Sequence, residues 1–272
     1  MKIKSLKICK LVIENLMKSI CKYILQYYLK YLAKLVLAIY RPIVIAIAGS
    51  ANKHFFKEQV KDRLISAGFS VRANPKDFNT EIGLPLAILD LPSGYHSYKK
   101  WWSIIWRSPL AFFKKLPQIL VLELGVSNRG NMRYLLSLVN PKIAVITDIT
   151  QRYLEAFDDM EELVDEYDYL VSQIDNDSLV ILNHDNLKVR ELTKKTKAEV
   201  CFFSLEGEAS GQSGQSNFWS ASIIKEEGKQ QVKIWHQAKQ QEYQINRPGD
   251  QHVCALLASL IIEEKTAKLS HD

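Results

Sequence analysis

The sequence predicts an α/β fold, a doubly wound and mostly parallel sheet preceded by an N-terminal amphipathic helix. Three observations predict it. Short apolar runs recur along the chain, at Ile43–Ala48, Ile119–Leu122, Ile143–Ile146, Leu179–Leu182 and Val200–Phe203. Segments of helical pattern separate most of them, and continuous apolar strands alternating with helices belong to parallel sheets covered on both faces. The first run leads straight into a glycine-initiated loop, Gly49-Ser50-Ala51-Asn52-Lys53-His54, and then into a helix.

A chain of 272 residues, 47% apolar and 24% charged, has the size and composition of a globular protein with a substantial core. The net charge of +6 is unevenly placed. Residues 1–41 hold eight lysines and Arg41 against the single acid Glu14, so the remainder is slightly acidic. Basicity therefore belongs to the N-terminal segment and says little about what the main body binds. The four cysteines, Cys9, Cys21, Cys201 and Cys254, form no C-x-x-C pair and read as reduced thiols rather than a disulfide or zinc framework.

Residues 1–41 form a basic amphipathic helical segment, as one helix or two in series. Lys7, Lys10, Lys18, Lys22, Lys30 and Lys34 recur mostly at helical spacing among Leu, Ile, Val and Tyr. Lysines interrupt every apolar run before it reaches the ~20 residues a spanning helix needs, and they spoil a cleavable signal as well. The segment either packs on the main domain or a partner, or lies on an anionic membrane surface.

The main body is expected over residues 42–264. The helix after the central loop is expected to carry Lys57, Glu58, Lys61 and Asp62 on its wet side, and Phe69–Arg72 reads as the next strand. Asn79–Pro85 is a polar turn into an apolar helix. Residues 95–115 interleave Trp101, Trp102, Trp106, Phe112 and Phe113 with Lys99, Lys100, Arg107, Lys114 and Lys115. Such a helix covers a sheet edge or dips into a membrane interface. Nucleic-acid binding is not expected, because no wider basic face accompanies it. Further helices are expected around Met132–Val139, over the acidic stretch Asp158–Tyr169 and around Leu187–Lys195. Residues 206–217, rich in Gly, Ser and Gln, read as a flexible loop. Residues 221–245 read as a strand meander turning at Glu227-Gly228 and again at Lys239-Gln240-Gln241. Gly249–His252 opens a last apolar helix over Val253–Ile262, and residues 265–272 form a frayed polar tail.

Ligands of parallel sheets sit at the carboxyl ends of the strands. Glu123, Thr147, Asp148, Asn183 and Asp185 occupy such ends, on the rim expected to hold Gly49–Lys53. The loop itself is an incomplete phosphate-binding loop, and the fold is accordingly expected to be of the P-loop type. Glycine lets backbone N–H groups close on phosphate oxygens, lysine supplies charge and a hydroxyl holds Mg²⁺. Gly49 and Lys53 fit. Asn52 stands at the second glycine and His54 at the hydroxyl. Asparagine tolerates positive φ better than other non-glycine residues, so the turn survives at some cost, although its side chain is expected to crowd the cradle.

The ordered blocks resemble the central ATP-binding domain of the Mur ligases, nearest the MurF type that adds D-alanyl-D-alanine to the muramyl tripeptide. The blocks are Ile45–Lys53, Asn79–Pro85, Leu122–Gly125, Ala144–Ile149, Leu154–Phe157, Leu182–Asp185 and Pro248–His252, in family order over about residues 42–262. The resemblance implies a cytoplasmic, ATP-dependent amide ligase of peptidoglycan precursor synthesis, which converts a carboxylate to an acyl phosphate for displacement by an amine. It implies ATP and Mg²⁺ as cofactors and a UDP-muramyl peptide as substrate. Lys53 and Glu123 match the phosphate lysine and the metal-binding glutamate, and are the expected catalytic pair. Gly49, Ser50, Ala51, Asn52, Lys53, His54 and Asn183 match the nucleotide site.

Other family positions are changed. His54 replaces the Mg²⁺-binding Thr or Ser, and imidazole is a poor ligand for that hard ion. Tyr153 replaces a histidine of the second metal, Tyr167 a lysine that becomes carbamylated, and Asp148 an asparagine. Asp165, Glu166 and Asp168 are the nearest substitute carboxylates, unless they form a solvated helix face. The family's N- and C-terminal domains have no counterpart in the 272 residues, so the expectation is either a separate chain that supplies them or a fragment of a longer ligase. Two functions follow: a MurF-like ligase domain with impaired or lost catalysis, or a non-catalytic nucleotide-binding or scaffold protein at the cytoplasmic membrane face or on cell-wall enzymes.

Overall fold

The computed structural model describes residues 2–95, 97–151, 157–206, 216–226, 229–237, 239–245 and 247–269. Tyr153, most of the expected loop at 206–217 and the Glu227-Gly228 turn fall outside them. One continuous helix, α1 (Lys2–Tyr40), precedes the sheet. The order is then β1 (Ile43–Ala48), α2 (Lys53–Ser66), β2 (Val71–Ala73), α3 (Gly83–Ile88), α4 (Tyr98–Arg107), β3 (Ile119–Glu123), α5 (Asn131–Leu136), β4 (Ile143–Ile146) and α6 (Met160–Ser172). β5 (Leu179–Asn183), α7 (Leu187–Glu191), β6 (Glu199–Ser204), β7 (Phe218–Glu226), β8 (Lys229–His236), β9 (Lys239–Ile245) and α8 (Asp250–Leu269) complete it.

The nine strands form one sheet in the order β2-β3-β1-β4-β5-β6-β7-β8-β9. All neighbours are parallel from β2 to β7, and β7-β8-β9 is an antiparallel meander at one edge. The alternation of side chains divides the core in two. Ala46, Leu120, Leu122 and Ala144 face a layer built from α1, α3, α4, α5 and α6. Ile45, Ile47, Val121 and Val145 face the layer of α2 and α8. Apolar residues at consecutive strand positions are needed because both faces are covered.

Three expectations are corrected. The aromatic-basic stretch is not one helix: α4 ends at Arg107 and a 3₁₀ turn, Ser108–Phe113, follows with Pro109 at its start. Proline lacks the N–H that would continue an α-helical ladder. The second meander turn falls at Gln237, whose φ is 51°, and Lys239-Gln240-Gln241 belongs to β9. The last helix does not fray after Glu263 but runs to Leu269. Thr266 is fully buried and Lys265 pairs with Glu199 of β6, so this end is held on the body.

Candidate functional site

β1 delivers the chain to the rim at Ala48, and the loop that follows is fastened to the segment after β4. The Thr147 hydroxyl donates to Ala51 O at 2.6 Å, Ser50 N donates to Asp148 O at 2.8 Å, and Thr150 N donates to Ser50 Oγ at 2.7 Å. Gly49 has φ +133°, and a Cβ there would meet Thr147 Oγ1 at 2.2 Å, so no side chain is accommodated. Asn52 takes the left-handed conformation, φ 64°, immediately before α2. The asparagine therefore supplies the backbone that a glycine would otherwise supply. Its side chain does not stand alone over the cradle: Asn52 Nδ2 donates to Asp148 Oδ2 at 3.3 Å.

The first-turn N–H groups of α2 have no partners within the helix and lie at its positive end. Lys53 begins that helix and folds back, its ammonium donating to Gly49 O at 2.7 Å. His54, next along, is exposed. A phosphate fits this arrangement of loop backbone, helix N-terminus and lysine. One group opposes it. Asp148 is bridged by Asn52 and by Asn183, whose Nδ2 donates to Asp148 Oδ1 at 2.9 Å. Burial raises the pKa of this carboxyl, while hydrogen bonds from Asn52, Asn183 and Asn186 act to lower it. Asn183 is engaged on its other side too, accepting from Asp185 N at 3.0 Å.

Glu123 ends β3 opposite Ile47 of β1, which brings its carboxylate to the same rim. Asn79 Nδ2 donates to Glu123 Oε1 at 3.1 Å, and Lys57 Nζ lies 3.5 Å from Oε2. Lys57 is the residue that sequence reasoning misplaced. It is 0% exposed, not on the wet side of α2, and also donates to Asn74 O at 2.8 Å. Asn74 in turn accepts from Glu123 N at 2.8 Å. Buried Lys57 and Asn74 thus form one polar cluster with half-buried Glu123 and Asn79. The signal that could have found it is the apolar company of Lys57, between Phe56 and Val60, both buried.

Tyr167 is 1% exposed and packed in the core layer of α1, α5 and α6. The nearby acids do not replace a metal site. Glu166 is buried and accepts from Gly130 N at 2.5 Å and Met132 N at 2.7 Å, capping the start of α5. Asp168 pairs with Lys195 at 3.0 Å, and Asp165 is exposed. Mg²⁺ requires several oxygen ligands in near-octahedral array. Among the described residues, Glu123 has both oxygens engaged by protein groups, His54 offers nitrogen and Tyr167 is sealed in the core. These three side chains do not by themselves supply that oxygen set. A different cluster, His184, Asp185 and Glu206, brings its ligand atoms within 4.8 Å of one another. Asp185 there already accepts from Ser204 Oγ at 2.5 Å and Leu205 N at 2.8 Å.

Comparison with known proteins gives a consistent picture. The Mur ligase middle domain family matches residues 103–262, a stretch that includes Glu123 but begins after the Gly49–Lys53 loop. The UDP-N-acetylmuramoyl-tripeptide--D-alanyl-D-alanine ligase of Bacillus subtilis is 26% identical over 138 residues, covering 51% of this chain and 25% of that protein. The Escherichia coli enzyme of the same name is 23% identical over 143 residues, 53% of this chain and 26% of that one. The chain thus spans about a quarter of the length of these curated relatives. Among solved structures, the MurF ligase of Thermotoga maritima in complex with ADP superposes with a TM-score of 0.71 at 20% identity, over 89% of this chain and 49% of that one. MurF from Acinetobacter baumannii gives 0.69 at 18%, over 87% and 46%.

Proposed function

Because the chain belongs to the Mur ligase middle domain family, we propose that it is the nucleotide-binding body of a MurF-like ligase in which phosphate binding is kept and metal-dependent phosphoryl transfer is impaired. The observation that carries this reading is the contrast between two neighbouring groups. The Gly49–Lys53 loop keeps its backbone path, with Asn52 in the left-handed region and Lys53 over the loop. Glu123, the family's metal ligand by resemblance, is paired with buried Lys57 at 3.5 Å.

Each residue has a definite part in this reading. Loop N–H groups and Lys53 bind the phosphates of ATP. Thr147 and Ser50 hold the loop closed against the β4 rim. Lys57 and Asn79 fix the Glu123 carboxylate. Mg²⁺ would have to displace Lys57 from Oε2, so nucleotide binding is expected to depend little on the metal. In the relatives, as their name states, the ligated pair is a UDP-N-acetylmuramoyl-tripeptide and D-alanyl-D-alanine. The same substrates are proposed for any residual activity of this chain.

The test is ADP and ATP binding to the full chain by calorimetry, with and without Mg²⁺. Binding that Lys53→Ala weakens and Mg²⁺ leaves within about threefold is expected. No binding at millimolar nucleotide overturns the phosphate site. ADP release on adding the muramyl tripeptide and D-alanyl-D-alanine, abolished in Lys53→Ala, overturns the impairment.

A further inference from the structure

Two ridges on the α1 side of the sheet are apolar, basic and uncovered. From Leu29 onward, α1 buries Leu29, Leu32, Ala33 and Val36 in the core. The opposite side of the helix is apolar as well. Ile20, Ile24, Tyr27, Tyr31, Leu35 and Ile39 are all exposed, and their spacing puts them in one stripe about 28 Å long. A buried helix end does not need such a stripe, and a solvent-facing one does not favour it.

The second ridge runs beside the first. Tyr28 Oη lies 2.9 Å from Ser108 Oγ, and Tyr40 Oη donates to Phe112 O at 2.7 Å. α4 and the 3₁₀ turn bury Ile104 and Ala111 in the same layer that receives α1. Their outward side carries Trp102, Trp106 at 79% exposure, Leu110 and Phe113 at 86%. Both outward faces therefore look away from the same side of the sheet.

Charge identifies the occupant. Residues 16–41 contain five Lys and Arg and no acid, and residues 95–118 contain another five and no acid. Outside these two stretches the chain holds 26 Lys and Arg against 30 Asp and Glu. Among the described residues, Lys114 is answered locally by Asp90 at 3.3 Å. A second copy of the chain docked through this face would oppose like charges, which disfavours self-association. An anionic bilayer supplies what both ridges call for: lipid tails for the isoleucines and leucines, the headgroup level for Trp and Tyr, and negative charge for the lysines. No described helix is long and apolar enough to cross a membrane.

We infer that this face, the outer stripe of α1 together with Trp102, Trp106, Leu110 and Phe113, docks the protein on the surface of an anionic phospholipid bilayer. The inference does not rest on nucleotide binding and is tested without it. The full chain is sedimented with phosphatidylcholine vesicles, with and without phosphatidylglycerol, while tryptophan emission is recorded. Binding only to the anionic vesicles, with a blue shift, is expected, and it should weaken as salt is raised. The variant Trp102→Ser/Trp106→Ser/Phe113→Ser changes exposed side chains only, and should lose at least about tenfold in partitioning with an unchanged circular dichroism spectrum. Lys99→Glu/Lys100→Glu should lose anionic selectivity by a similar factor. Equal partitioning on both vesicle types, or none, overturns the inference. So does a concentration-dependent dimer by light scattering that the aromatic variant abolishes.

Discussion

Lys57 offers the sharpest test of how the site is built. Its ammonium is wholly buried, 3.5 Å from Glu123 Oε2, 2.8 Å from Asn74 O and 3.9 Å from Glu58 Oε1. At an effective dielectric constant of about 20, a pair 3.5 Å apart attracts by roughly 5 kcal/mol. That gross figure is offset by the cost of desolvating both ions, so the pair adds little net stability. Breaking it is another matter. Lys57→Met keeps the methylene packing but leaves Glu123 with Asn79 alone and Asn74 O without its donor. The expected loss is about 3–5 kcal/mol for the orphaned charge.

Glu123→Gln should cost about as much or slightly less, because Glu58 remains as a distant counter-charge. The double variant Lys57→Met/Glu123→Gln should recover roughly 2–3 kcal/mol of the summed loss, since no uncompensated charge remains. Urea unfolding of the full chain, followed by circular dichroism, reads all four corners of the cycle. Glu58→Gln is the control: its carboxylate is 38% exposed, and the expected change is under about 1 kcal/mol. Additivity of the two single changes within about 0.5 kcal/mol would refute the reasoning, because the two groups would then not be coupled.

Asp148 has its pKa raised by burial, above the ordinary 3.8. A raised carboxyl favours the fold below the unfolded value and loses that contribution as pH rises through the folded one. Asp148→Asn should therefore be the more stable protein at neutral pH, with the advantage vanishing below about pH 4 in a melting series. Removing that charge from the phosphate loop should also tighten ADP roughly tenfold by calorimetry. Tyr167→Ala should cost about 3–5 kcal/mol by urea unfolding. Tyr167→Lys, the residue that the resemblance places there, should cost more than Tyr167→Phe, because the position lies in the core. Glu166→Ala strips the acceptor from Gly130 N and buried Met132 N, and should lower stability by about 1–3 kcal/mol. Glu166→Gln should lose about half of that.

The parts of the fold legible in the sequence are those governed by local pattern. β1, β3, β4 and β5 are buried on both faces, so their apolar runs are unbroken and their C-terminal residues mark the rim. Asn52 is legible for a local reason as well, since few side chains tolerate φ near 64°. What was not legible depends on residues far apart in the chain. Lys57 sits one helical turn after Lys53, where a lysine ordinarily faces water. Its burial is decided by Glu123, 66 residues later, and by the Asn74 carbonyl. The far end of α8 is fixed in the same way, by Glu199 receiving Lys265. Glu166 looks like one more acid on an acidic helix until α5 is placed over it.

The changes at Asn52 and Asp148 are better understood as one change than as two. By resemblance the family has glycine at the first position and asparagine at the second. Here the amide has moved to position 52 and an acid stands at 148, and the two side chains bond to each other. The pair ties the left-handed turn at Asn52 to the segment after β4, and it fixes a carboxylate beside the Gly49–Lys53 loop. On the other flank Lys57 lies 3.5 Å from Glu123 Oε2 and balances its charge. Lys53, Lys57, Glu123 and Asp148 then sum to no net charge. Phosphate attraction falls to the N-terminus of α2 and to Lys53 once it leaves Gly49 O. In the proposed reading, the charge that would draw Mg²⁺ to Glu123 is offset by buried Lys57, 3.5 Å from Oε2. Glu123→Gln is for that reason expected to change stability more than nucleotide affinity, the reverse of what a working metal ligand would do.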